Sequence, residues 1–212
     1  IEFSRLITPY WCGKFELIKN VFIYNNLMEE TYMQKTNFKT LDLCMIGVVT
    51  AVIVIMAQIS IPMPLGVPMT MQTFAITLAG IILGSKKGAV ASLIYVLLGA
   101  VGVPVFANFS GGYQLLVGPT GGFIISFPIM AFIIGLGVEY KNRFKGCFTF
   151  CLILGTCINY LFGVVMFCII MHSTVWVALT ACVLPFIPTA ILKAILASIL
   201  GLNLRKRVPG LS

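Results

Sequence analysis

The sequence predicts an all-α polytopic membrane protein with six transmembrane helices and both termini in the cytoplasm. Three observations carry this: a scarcity of charge, long uncharged intervals, and the alternation of basic and uncharged connections between them. A soluble domain carries about 25% charged residues. Of these 212 residues only 9% are charged and 59% are hydrophobic, so most of the molecular surface must face lipid. Between Leu43 and Val138 the only charged residues are Lys86 and Lys87, and between Gly146 and Leu204 the only one is Lys193. Such intervals suit helices, which satisfy their own backbone hydrogen bonds in a solvent that offers none. The runs are continuously apolar and lack the in-out alternation of an outer-membrane barrel.

Spanning a hydrocarbon core takes about 20 helical residues. The spans are read as 41–61, 69–84, 88–105, 119–138, 146–171 and 184–204, the second being short. The connections after spans two and four are basic, with Lys86 and Lys87 in one and Lys141, Arg143 and Lys145 in the other. The approach to span one (Lys35, Lys39) and the tail (Arg205, Lys206, Arg207) are basic as well. Connections 62–68, 106–118 and 172–183 carry no Lys or Arg. Basic loops stay in the cytoplasm, so this alternation sets the orientation. The formal net charge of +8 therefore reads as a topology signal, and nucleic-acid binding, which needs the charge on one folded face, is set aside. Residues 1–40 mix both signs of charge with scattered aromatics and read as a non-core extension, partly foreign to the native chain, with Met33 as a native start. Residues 41–204 form the membrane domain and 205–212 a basic cytoplasmic tail.

Little in the sequence points to catalysis. The seven cysteines (Cys12, Cys44, Cys147, Cys151, Cys157, Cys168, Cys182) form no CxxC pair and His172 is the sole histidine, so no metal site is expected. Asp42 and Glu139 fall at span ends, leaving no intramembrane carboxylate for acid–base work or a proton relay. No phosphate-binding loop GxxxxGK[ST] occurs, so any ATP-driven step belongs to a partner. No nucleophile–base pair is found. The chain reads as a non-enzyme without a cofactor.

Lys193 stands out. A cation inside a span costs about 2.5–3.5 kcal/mol on insertion scales and is normally partnered or used. If span six opens near Pro188, Lys193 lies about 7–8 Å along the axis, in the outer part of the membrane. Two readings stand, snorkelling to outer headgroups and contact with a ligand anion. The run from Gly102 through Gly122 is the second signal. Phe106, Asn108 and Tyr113 sit beside Gly111, Gly112, Gly118, Thr120 and Gly121, and glycines let a backbone fold closely over a small molecule. A structural turn is the competing reading. Gln72, Asn159 and Tyr160 are polar interruptions that serve either helix packing or the same cavity. One cation, a few amides and hydroxyls, and apolar walls describe a site for a small amphipathic carboxylate.

Several ordered segments carry a family resemblance: Pro68-Met69-Thr70-Met71-Gln72-Thr73-Phe74, Leu78-Ala79-Gly80, Gly102-Val103-Pro104-Val105-Phe106, Gly111-Gly112, Gly118-Pro119-Thr120-Gly121-Gly122, and Leu184-Pro185-Phe186-Ile187-Pro188 through Lys193. Over 41–204 the chain resembles the BioY family, the biotin-specific S components of energy-coupling factor (ECF) vitamin transporters. The resemblance implies an S-component fold and a high-affinity biotin-binding subunit in the bacterial cytoplasmic membrane. Its implied partners are a transmembrane coupling protein and two cytoplasmic ATPase subunits. It implies biotin contacts from the outer loop and from Lys193 in span six. The family's acid, three residues before that lysine, is Ala190 here, so the acidic contact is dropped. Gly47 and Ala51 on span one form a small-xxx-small pattern resembling the face S components turn to the coupling protein, and internal helix packing explains it nearly as well. A stand-alone secondary transporter or channel for a small amphipathic carboxylate is the second reading, with backbone carbonyls available for sodium coupling.

Overall fold

Helices occupy the long apolar runs, one of them with Pro128 in its interior. The protein is described by a computed structural model over residues 40–63, 67–141 and 146–207. Residues 1–39 of the expected extension with Cys12, the loop residues Arg143 and Lys145, and the tail beyond Arg207 lie outside the described residues. Helix α1 is Thr40–Ala57, α2 Gln72–Leu83, α3 Ser85–Ala100, α4 Tyr113–Val117, α5 Gly121–Glu139, α6 Cys147–Met171, α7 Val175–Cys182 and α8 Ile187–Arg207. Strands β1 (Ser60–Ile61) and β2 (Met69–Thr70) pair antiparallel, Ser60 opposite Thr70 and Ile61 opposite Met69.

By length and composition, α1, α5, α6 and the stretch 175–207 can each cross a membrane. The short α2, 12 residues long, rises only about 18 Å at 1.5 Å per residue. Three expectations change. The first span ends at Ala57 rather than Ile61, because Ser60 and Ile61 turn into the small hairpin. The connection 106–118 contains α4. The connection 172–183 contains α7, which is followed by the turn Leu184–Phe186 and then α8. Proline at 185 and 188 lacks the N–H donors that would carry α7 into α8 without a break.

The packing is inverted relative to a soluble bundle. Large aliphatic side chains point outward, among them Val48 and Ile55 on α1, Ile153 and Ile169 on α6, and Ile191 and Ile199 on α8. Lipid solvates these as well as a protein core would, so burial of apolar area does not by itself drive the helices together. What lies inside is small or closely fitted: Ala75, Ala79, Ala131, Ile76 and Ile134 are buried around α2 and α5. Helix α5 is the centre, touching α2, α3, α4 and α6, and α2 also packs along α8. Glycine makes the contact possible. A Cβ at position 135 would stand 2.3 Å from the Ser85 amide nitrogen, and one at 122 would stand 2.1 Å from the Phe162 carbonyl oxygen.

At one end of the bundle the α2–α3 break is held by charge. Gly84 takes a left-handed φ of 82°, which separates the two helices. The Glu139 carboxylate, at the end of α5, accepts the Ser85 N–H at 2.7 Å and the Ser85 hydroxyl at 2.9 Å. Arg205 of α8 donates to the Ile81 carbonyl at 2.9 Å. An anion therefore faces the N-terminus of α3 and a cation the C-terminus of α2, as the helix dipoles require. Lys87 pairs with Asp42 at the same end.

Gly135→Ala is expected to lower the melting temperature of the detergent-purified protein. The added methyl meets backbone that cannot rotate away, an overpacking cost of about 1–3 kcal/mol. A melt unchanged from the parent would show that α5 does not depend on this close approach.

Candidate functional site

The other end of the bundle is less tightly filled. A cavity of about 340 Å³ opens among the first turns of α5 and α8, the start of α2, the hairpin and the 106–110 turn. It is separated from the Glu139–Arg205 end by the remainder of α8, since Lys193 precedes Arg205 by about 18 Å of helix rise. Its walls are largely apolar. Phe106, Phe123, Phe127 and Phe186 line it, with Met63, Val67 and Leu115. The Phe123 ring is also met edge-on by Tyr160, at 6.2 Å and 86°.

Polar groups enter from four directions. Lys193 is half-buried, and its ammonium donates to the Thr70 carbonyl at 2.6 Å. No other protein acceptor engages it among the described residues. Among the described residues it is also the one charged side chain lining the cavity. The Thr70 hydroxyl donates to the Gln72 carbonyl oxygen at 2.9 Å, and the Gln72 amide donates to the Tyr95 hydroxyl at 2.6 Å. Asn159, from α6, donates to the Phe123 carbonyl at 3.1 Å and to Ser126 Oγ at 2.8 Å. These bonds bind its amide nitrogen to α5 and fix its orientation, because a carbonyl accepts only from the nitrogen end. The hydroxyl of Tyr160 has no protein partner among the described residues.

The 106–110 turn closes one wall. Phe106 and Ser110 bridge antiparallel, while Asn108 and Phe109 take left-handed φ values of 59° and 52°. Such geometry costs of order 1–3 kcal/mol per non-glycine residue and needs external support. Gln58, beyond the end of α1, supplies it: its amide donates to the Val105 carbonyl at 3.3 Å and its oxygen accepts the Phe109 N–H at 2.8 Å. Ser60 bonds Asn108 across the same gap. The Phe106 ring lies over Gly99 of α3, where an added Cβ would stand 2.0 Å from the ring.

Of the residues picked out from sequence, Gln72, Phe106, Asn108, Thr120, Asn159, Tyr160 and Lys193 line the cavity. Gly111, Gly112, Tyr113, Gly118 and Gly121 do not, and their surroundings explain why. A Cβ on Gly111 would meet the Val103 carbonyl at 2.3 Å, and one on Gly121 the Leu116 carbonyl at 1.9 Å. Gly112 donates its N–H to the Gly99 carbonyl at 2.7 Å. Gly118 packs over the Gln114 carbonyl, and Tyr113 points outward, 68% exposed. These glycines fold the loop against α3 and α4. Sequence reasoning did not pick Thr73, Ser110, Phe127 or Phe186, nor the Thr70 carbonyl that holds Lys193. A backbone acceptor leaves no signature in residue type. Ala190 also lines the cavity, one turn before Lys193, so the position of the missing acid faces the site. Gly47 and Ala51 lie on the exposed face of α1, and a Cβ on Gly47 would meet nothing within 4 Å among the described residues.

A family model described as BioY family matches residues 31–210. The chain belongs to the BioY family. It is 42% identical to the biotin transporter BioY of Thermotoga maritima over 160 residues, covering 76% of this chain and 93% of that protein. Identity to the biotin transporter BioY of Rhodobacter capsulatus is 33% over 181 residues, covering 79% and 95%. The fold matches the crystal structure of the S-component for biotin from an ECF-type ABC transporter with a TM-score of 0.72. That match has 28% identity and covers 81% of this chain and 94% of the other. The BioY relationship thus extends across both the packed end and the cavity end of the bundle.

Gly99→Ala is expected to force the Phe106 ring off α3 and lower the melting temperature of the ligand-free protein. Phe106→Leu, which vacates the space the ring edge occupies, is expected to restore part of the loss when combined with it. Neighbouring substitutions of this kind couple rather than add. Additive losses in differential scanning fluorimetry would refute the contact.

Proposed function

We propose that this chain is the high-affinity biotin-binding S component of an ECF-type uptake transporter in the bacterial cytoplasmic membrane. The observation that carries the reading is Lys193. In a BioY-family chain, it is, among the described residues, the one charged side chain lining a cavity of apolar, amide and hydroxyl groups, and a single backbone carbonyl is its protein acceptor there. A ligand carboxylate meets an ammonium whose remaining two N–H groups are unspent. In a low-dielectric wall, that charge-assisted bond is stronger than one between neutral groups. Gln72, Asn108, Asn159 and Tyr160 supply donors and acceptors for the ureido ring, and the phenylalanines cover the carbon frame. The absent acid at Ala190 leaves the lysine without a competing anion one turn away. No cofactor enters the reading, and biotin is cargo.

The cavity end faces outward and the Glu139–Arg205 end faces the cytoplasm. The basic residues Lys86, Lys87, Lys141, Arg205, Lys206 and Arg207 all lie at or beside the latter end, in keeping with positive-inside placement. Partner subunits provide ATP hydrolysis, a coupling protein and two cytoplasmic ATPases. The exposed Gly47–Ala51 face of α1 supports docking of the coupling protein, because small residues let two helix backbones approach closely.

Purified protein is expected to retain radiolabelled biotin at submicromolar concentration. Absence of saturable binding, or uptake by the isolated chain driven by an ion gradient, contradicts the reading. Lys193→Ala is expected to weaken biotin by about 10–100-fold, the worth of a hydrogen bond to a charged group. It should change the uncharged biotin amide far less. Equal losses for the two ligands would take the carboxylate contact away from Lys193.

A further inference from the structure

Behind the cavity, and outside its lining, stands Tyr95 of α3. It is fully buried, at 0% exposure. Its hydroxyl accepts the Gln72 amide at 2.6 Å. Its ring meets Phe106 edge-on at 5.5 Å and 79°, and stands 6.5 Å from Phe127 with the planes tilted by 39°. Gln72, Phe106 and Phe127 belong to three different parts of the wall: the start of α2, the 106–110 turn and the second turn of α5. One side chain outside the lining therefore contacts all three.

The hydroxyl matters beyond packing. The Gln72 amide is held from both ends, its nitrogen by Tyr95 and its oxygen by the Thr70 hydroxyl at 2.9 Å. Thr70 in turn presents its carbonyl to the Lys193 ammonium at 2.6 Å. Three hydrogen bonds thus link Tyr95 to Gln72, Gln72 to the Thr70 hydroxyl and the Thr70 carbonyl to Lys193, with the rigid frame of Thr70 between the last two, joining α3, α2, β2 and α8. A phenylalanine at this position would fill the same space and keep both aromatic contacts. Nothing in the apolar packing calls for the oxygen, and a buried hydroxyl is costly unless bonded.

We infer that Tyr95 is a positioning residue for the cavity, its hydroxyl setting the Gln72 amide and, through Thr70, the place of the Lys193 ammonium. The inference rests on the biotin reading above and deepens it. Tyr95 acts on the ligand through Gln72, never by touching it. Preorganised polar groups bind better because little ordering is left to do when the ligand arrives.

The test is a double-mutant cycle on detergent-purified full-length protein, read by the dissociation constant for radiolabelled biotin and by the melting temperature without ligand. Tyr95→Phe is expected to weaken biotin about tenfold, the effect of one buried hydrogen bond. Gln72→Met, which leaves Tyr95 and the core in place, should weaken biotin at least as much. In the Gln72→Met background, Tyr95→Phe should cost nothing further. A purely structural Tyr95 lowers the melting temperature and costs the same affinity in both backgrounds, and that result overturns the assignment. Wild-type affinity in Gln72→Met overturns it as well, even if Tyr95→Phe does not yield monodisperse protein. If the parent protein itself fails to bind biotin, the biotin reading falls and this one with it. A binding parent with an unaffected Tyr95→Phe variant removes only the role of Tyr95.

Discussion

The close approach of α5 to its neighbours is the constraint on which the remaining architecture depends. Lipid solvates an isoleucine as well as another helix does, so a membrane bundle gains little by merely hiding apolar area. It must gain through dispersion contact and satisfied polar groups, and both demand short distances. Glycine at 122 and 135 brings α5 onto the backbones of α6 and of the α2–α3 junction, at separations no side chain could share. The hydrogen bonds of Glu139 and Arg205 then fasten the Gly135 end, where the two helix termini at the α2–α3 break would otherwise leave unmatched partial charges.

That tight end lets the other end stay open. In the first two turns of α5, Phe123, Ile124 and Phe127 line the cavity. Several polar groups in its wall are held in place by bonds to the protein. Asn159 is tied to α5, Gln72 to Tyr95 and Thr70, and Gln58 holds a turn whose backbone is strained at Asn108 and Phe109. Lys193 differs, since a single carbonyl leaves most of its bonding capacity unused among the described residues. A preformed apolar wall with an under-used cation suits a small ligand with an anionic end.

Some of the site was legible in residue type. A lysine in an apolar helix is conspicuous because insertion penalises it, and glutamine, asparagine and tyrosine stand out for the same reason. Glycines were less informative. Gly111, Gly112, Gly118 and Gly121 were picked for closeness to a ligand, yet they are close to Val103, Gly99, Gln114 and Leu116 instead. A glycine reports that something approaches the backbone, without saying what. Tyr95 was invisible beforehand, because a tyrosine in a membrane helix is an ordinary interfacial or core residue until its partners are known.

The sequence by itself determined the membrane setting, the helical class, most helix positions to within a few residues, the family and the isolated cation. These follow from composition, charge spacing and ordered motifs, which are properties of the chain read in one dimension. Only the tertiary structure decided that Ser60–Ile61 turns into a hairpin, that α7 precedes α8, and that Lys193 rests on a carbonyl 123 positions away in the chain. It also decided that Gly47 and Ala51 face outward. Each of these depends on which backbone atoms meet across helices. Backbone groups are the same at every residue, so their pairing has no counterpart in the alphabet of side chains.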